Sequence, residues 1–199
     1  STNNLRAFEG RSLSLTPRGN AVAYLGRNND QNVIYVLKPN EAVPIIVKST
    51  ATAIANPVVS PDGDRVVFQM VPRGNWELYA IDITRANERR ITREIQHDHT
   101  PRFLTNDRVL GVIGENRHRR SYLYDLATGE RQRLFHNNQI RTVSMEYAWV
   151  PSPDGGAVLI VADRDGDTIS PERGLTLVDL TASVTRKEVT GRIDGMAAA

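Results

Sequence analysis

The chain has 199 residues, 40% of them hydrophobic and 24% charged, with a formal net charge of +2. That is the make-up of a globular protein with enough chain for a sizeable core. No run of about 18 apolar residues points to a membrane-spanning helix. The absence of cysteine excludes disulfides, thiolate nucleophiles and thiolate metal sites. A charge this small gives no ground for a polyanion partner, although the sequence pI is about 9.1.

No charged segment followed by an apolar stretch opens the chain at Ser1, so any export signal is expected to have been removed or never to have been there. The first ten residues, with Asn4-Leu5-Arg6-Ala7-Phe8-Glu9-Gly10, read as the closing strand of a preceding unit. A turn follows at Thr16-Pro17-Arg18-Gly19, ahead of the β-rich run Ala21–Leu25. The same device returns in stronger form at Ser60-Pro61-Asp62-Gly63, between Pro57-Val58-Val59 and Val66-Val67-Phe68, and again at Ser152-Pro153-Asp154-Gly155 before Ala157–Val161. Proline presets φ at the first corner, aspartate bonds back to the backbone, and glycine takes the left-handed conformation that closes a bulged hairpin.

The spacing is regular. Pro17 to Pro61 is 44 residues, Pro57 to Pro101 is 44, and Ser60 to Ser152 is 92, or two steps of 46. Leu104-Thr105-Asn106-Asp107 fills the turn position of the third unit, without the proline and glycine. After each turn comes a second strand, a loop of variable length, and a third strand: 32–37, Glu77–Asp82, 122–125 and 175–179, all but the first ending in an acidic residue. Fourth strands are expected at 43–47, with Pro44 inside an outermost edge where proline is tolerated, and at 89–92, 131–135 and 186–190.

No segment has a convincing helical period. Four strands per repeat of about 45 residues is the arithmetic of a β-propeller blade. A β-sandwich is the rival, but the in-register return of a four-strand unit favours the propeller. The expected division is residues 1–10 as a closing strand, blades at 11–52, 53–96, 97–145 and 146–190, and 191–199 as a tail or the start of a further blade. Because unit four already has a closing strand, the N-terminal strand has no vacant place in a four-blade ring, and a larger propeller is expected.

The pattern Ser60-Pro61-Asp62-Gly63, Val66-Val67-Phe68, Glu77–Asp82 and Arg89-Arg90-Ile91-Thr92 resembles the blade repeat of TolB-like and tricorn-type propellers. Residues 117–130 and 163–174 look like propeller segments attached to bacterial exported zinc aminopeptidases. In such proteins the zinc site lies in a separate α/β domain, so the resemblance implies an accessory, non-catalytic propeller in a periplasmic or secreted setting.

Several clusters invite chemistry. Asp163, Asp165 and Asp167, with Glu172, place carboxylates around a glycine-containing loop, where a calcium ion would find oxygen ligands. The spacing is not that of an EF-hand, and Arg164 and Arg173 make a solvated, charge-balanced loop the alternative. His97 and His99 share one side of an extended segment and form part of a zinc pattern that lacks a third ligand. Arg117 and Arg119, with Arg73 in the corresponding loop of unit two, suit capture of carboxylate or phosphate, or simply a hydrated hairpin tip. Trp76, Trp149, Tyr147 and Phe103 are expected to pack between blades. No Gly-x-Ser-x-Gly elbow or His-Glu-x-x-His pair occurs.

The expected role is therefore binding of peptide or protein, through a face that carries Arg73, His97, His99, Arg117 and Arg119. The leading expectation is recognition or gating of peptide substrate for an exported peptidase, with a stand-alone envelope scaffold and a propeller hydrolase with its own metal site as alternatives. Uncovered apolar blade flanks also lead us to expect self-association, such as a dimer that completes a ring of eight blades.

Overall fold

The computed structural model describes residues 13–93, 98–113, 120–133, 149–163, 173–180 and 190–192. These residues form four antiparallel sheets of four strands each, every sheet ordered as its strands occur in sequence. The first holds β1 (Leu13–Leu15), β2 (Val22–Asn28), β3 (Gln31–Leu37) and β4 (Ile45–Thr50). The second holds β5 (Ile54–Val59), β6 (Arg65–Met70), β7 (Glu77–Asp82) and β8 (Glu88–Arg90). The third holds β9 (Asp98–Phe103), β10 (Arg108–Ile113), β11 (Arg120–Asp125) and β12 (Arg131–Arg133). The fourth holds β13 (Trp149–Pro151), β14 (Ala157–Asp163), β15 (Arg173–Asp179) and β16 (Thr190–Arg192).

The turn between first and second strands is built the same way each time. The Ser60 hydroxyl donates to Asp62 Oδ1 at 2.5 Å and accepts from the Arg65 N–H at 2.9 Å, while the Asp64 N–H donates to Asp62 Oδ1 at 3.1 Å. Gly63 at φ 80° brings its N–H onto the Ser60 carbonyl at 2.8 Å. Ser152, Asp154 and Gly155 repeat the set, and Thr16 supplies the hydroxyl in the first sheet. In the third, where serine, proline and glycine are missing, Thr105 Oγ1 accepts from the Arg108 N–H at 3.1 Å. One hydroxyl before the second strand is enough to turn the chain.

The acidic residue that ends a third strand caps the next turn. Asp82 accepts from the Thr84 and Arg85 amides and from the Thr84 hydroxyl. Asp125 accepts from the Ala127 and Thr128 amides. Hydrogen bonds to the ionised form hold both carboxyls below the usual carboxylate range, the Thr84 hydroxyl contributing most at Asp82 and the Thr128 amide most at Asp125.

Outer strands depart most from expectation. β4 starts at Ile45, so Pro44 precedes the strand instead of sitting in it. β8 ends at Arg90, and Ile91 and Thr92 instead bring both their amides to the Leu78 carbonyl. Of the closing strand expected at 186–190, residues 186–189 lie outside the described residues; β16 is described over Thr190–Arg192, paired with Thr176–Val178. Outermost strands pair on one side only, so sequence pattern constrains their register least. Residues 1–10, Phe135 and Tyr147 lie outside the described residues.

Sheet-on-sheet packing makes the core. Ala23, Leu25, Ile34 and Val36 of the first sheet pack with Val66, Phe68, Tyr79 and Ile81 of the second. The opposite face of the second sheet, with Val67, Leu78 and Ala80, packs with Val109, Tyr124 and Leu126 of the third, and Phe103 packs against that cluster. At both of these interfaces the earlier sheet offers an aliphatic face and the later one an aromatic-bearing face. Phe68 and Tyr79 stack with ring centroids 5.8 Å apart, and full burial of such side chains contributes roughly 1.5–3 kcal/mol each. Four such units stacked about an axis are propeller blades.

Candidate functional site: the mouth of the central channel

The first strands of successive blades touch one another, and all four line a cavity of about 250 Å³. Leu13, Leu15, Pro57, Val58, Phe103 and Pro151 give it an apolar wall; Ser14 adds a hydroxyl, and among the described residues Arg102 is the single charge. Arg102 is half-buried, and its Nη1 donates to the Pro101 carbonyl at 2.8 Å. A concave apolar wall with one polar anchor is the usual make-up of a small binding site.

Two strands enter this wall through the same irregularity. Register slips by one residue between Ala55 and Val58 of β5, and again between His99 and Arg102 of β9. At each slip a non-glycine residue with positive φ precedes a proline: Asn56 at 48° before Pro57, and Thr100 at 42° before Pro101. Such a backbone costs about 1–3 kcal/mol per residue, and residues before proline normally stay extended. The buried amide of Asn56 donates to Gln69 Oε1, which anchors the first bulge. Bulges re-aim the side chains beyond them; the residues beyond these two, Val58 and Val59 in β5 and Arg102 and Phe103 in β9, line the cavity. The equal spacing of Pro57 and Pro101 is legible in sequence as a repeat marker, but the strained residue before each proline is not.

The cavity opens at the end of the molecule where the turns meet. Asp62 N–H donates to Asn106 Oδ1 at 3.0 Å, Arg65 pairs with Asp107, and Lys38 reaches Asp64 at 3.2 Å. Hydrogen bonding to Asp107 is the chief reason that the Arg65 pKa is raised. A Cβ on Gly155 would lie 2.4 Å from the Leu104 carbonyl oxygen, so the fourth turn rests directly on the third.

Arg73, singled out from sequence, belongs to the opposite end. Arg73 is exposed on the loop joining β6 to β7. Near it, Glu77 is 2% exposed, paired with Arg90, and accepts from the Thr92 hydroxyl at 2.7 Å. Burial pushes the Tyr79 hydroxyl pKa up, with Arg90 pulling against it. The backbone of His99 lies in β9 opposite Val112, at the same end of its sheet as the segment that joins β10 to β11. His97, Arg117 and Arg119 lie outside the described residues. Asp163 ends β14 with Arg173 as its cross-strand partner, the residue that sequence had offered as its neutralising charge; Asp165, Asp167 and Glu172 lie outside the described residues.

No family model and no curated protein matches the chain. Solved structures do. TolB from Acinetobacter baumannii matches with a TM-score of 0.64 at 20% identity over 86% of this chain and 41% of its own. An oligogalacturonate lyase from Vibrio parahaemolyticus matches with a TM-score of 0.67 at 10% identity over 90% and 52%, and a puromycin hydrolase with 0.61 at 16% over 90% and 28%. These are likenesses of fold, and the chain spans between about a quarter and just over half the length of these three proteins. The four sheets are blades of a β-propeller, similar in fold to these structures. Among the described residues no helix is long and apolar enough to cross a membrane.

Proposed function

We propose that this propeller is a non-catalytic binding module that takes an extended peptide at its channel and gates or selects substrate for an exported peptidase. The observation that supports the reading is the apolar cavity where the four innermost strands converge, with Arg102 in its lining; a guanidinium suits a carboxylate. Arg73 and its neighbouring loops form the second contact, at the far end of the axis. The setting is periplasmic or secreted.

Anisotropy titrations with labelled aliphatic peptides that carry a free C-terminal carboxylate test this. Arg102→Glu and Leu15→Glu are expected to weaken binding by about tenfold or more, and Arg73→Glu to shift peptide preference. Unchanged affinity and preference in all three variants would overturn the reading.

The likeness in fold to TolB favours one alternative, a protein-binding scaffold of the cell envelope. Exchange of the 71–76 loop separates the two: altered peptide choice by a partner peptidase supports the first reading, and unaltered choice with loss of a protein partner the second. Calcium at Asp163, Asp165, Asp167 and Glu172 would brace the 163–172 loop. A melting temperature unmoved by chelator counts against that site.

A further inference from the structure

A tyrosine hydroxyl normally finds a hydrogen-bond partner when its ring is buried. Tyr79 is 8% exposed and its ring stacks on Phe68. Among the described residues its hydroxyl nevertheless makes no hydrogen bond, and the oxygen is not sealed from solvent. Register sets Arg90 directly across from Tyr79, so both side chains lie on the face that packs on the first blade.

Arg90 is only partly committed. Its Nε donates to the Thr92 carbonyl at 2.6 Å and its Nη2 pairs with Glu77. Nη1 makes no hydrogen bond among the described residues, and the side chain is 33% exposed. Arg73, exposed on the 71–76 loop, acts electrostatically on the Tyr79 hydroxyl together with Arg90, and Glu77 and Glu88 act with the opposite sign. From the first blade Lys48, in the same cross-sheet row as Leu25 and Ile34, reaches across the seam to Glu88 at 2.6 Å. Among the described residues around this hydroxyl, three cations thus stand against two carboxylates. Both carboxylates are already paired, so one positive charge is left over beside two open donors.

We infer that the seam between the first and second blades holds an oxyanion site, in which an acidic side chain of a bound peptide accepts hydrogen bonds from the Tyr79 hydroxyl and Arg90 Nη1. Arg73 at the mouth adds charge from the loop above. A cation is repelled here, and a neutral amide leaves the excess charge unanswered, whereas a carboxylate satisfies both donors and the charge at once. The site rests on the reading of Arg73 as a second peptide contact and gives that contact a chemistry, selection for aspartate or glutamate. It lies within one blade interface and is independent of what the channel holds.

The test is a titration, followed by nuclear magnetic resonance, of a peptide with one internal glutamate, blocked at both ends and labelled with ¹³C at the side-chain carboxylate. Protein is expected to shift that resonance to saturation, and the glutamine counterpart, at equal ionic strength, should not displace the peptide. Tyr79→Phe keeps the stacking on Phe68 and should weaken binding about fivefold; Arg73→Gln, at an exposed position, should weaken it about threefold. Equal displacement by the glutamine peptide would leave a second peptide contact standing and overturn its preference for acid. Affinity unchanged in Tyr79→Phe would overturn the site, and so would tighter binding of inorganic phosphate, which would assign it to a free anion. No shift with wild-type protein would overturn both the site and the second contact.

Discussion

Replacing Gly155 with alanine tests whether the turns are joined at the channel mouth. Gly155 has φ 71° and Gly129 has φ 79°, so alanine at either position takes on a left-handed backbone. That costs about 1–2 kcal/mol, offset by about 0.4–1 kcal/mol from the stiffer unfolded chain. The two sites differ in what the new methyl group meets. At Gly129 nothing lies within 4 Å, whereas at Gly155 it would sit 2.4 Å from the Leu104 carbonyl oxygen and 2.9 Å from Thr105 Cγ2. Ordinary contact begins at 3.4 Å, so the third and fourth blades must part by about 1 Å at this point, a strain in the range of about 1–3 kcal/mol typical of overpacking. Gly155→Ala should therefore be about 2 kcal/mol less stable than Gly129→Ala in urea titrations, or about 4–8 °C lower in melting temperature for a chain of this size. Gly63→Ala, whose methyl would lie 3.3 Å from the Ala21 Cβ, should fall between them. Equal losses at Gly155 and Gly129 would refute the contact between the third and fourth turns.

Arg90→Met removes the half-buried cation that pairs with Glu77 in the second blade and leaves that side chain, 2% exposed, without its countercharge. It should cost about 3 kcal/mol by urea titration, and a loss below about 1 kcal/mol would mean that water already reaches the carboxylate. Acid should unfold the protein through its turn caps. Asp82, Asp125 and Asp154 all have lowered pKa values, because hydroxyl and amide donors favour the ionised form. Their contribution is therefore complete above the usual carboxylate pKa and is lost as pH falls through the lowered folded values. Asp82→Asn with Asp125→Asn should flatten that acid limb, read from urea midpoints between neutral and strongly acidic pH.

The repeat was legible because its turns are local chemistry. Ser60, Asp62 and Gly63 bond mainly to one another and to the next two residues, so the motif needs no tertiary knowledge to be read. The third strand Glu77–Asp82 was legible to the residue because it is paired on both sides and ends on its own capping acid. Outer strands were not, since β4 and β16 answer to a single neighbour. The channel wall was missed for a different reason. Pro57 and Arg102 reach it only because the backbone kinks at Asn56 and Thr100, and neither residue announces a positive φ. Arg73 was legible as an exposed loop residue, but the Glu77–Arg90–Thr92 network beneath that loop depends on a backbone departure at Ile91 that the alternating pattern does not encode.

The prolines of the innermost strands have a bearing on what can enter the channel. β5, β9 and β13 each contain one, at Pro57, Pro101 and Pro151, on edges that would otherwise offer a ladder of amide protons to any extended chain. An incoming strand finds that ladder interrupted on three of the four walls, so it cannot zip on as an extra member of a sheet. Whatever occupies the axis must be held by its side chains and its termini, which makes it releasable, and the same interruption keeps neighbouring molecules from fusing edge to edge.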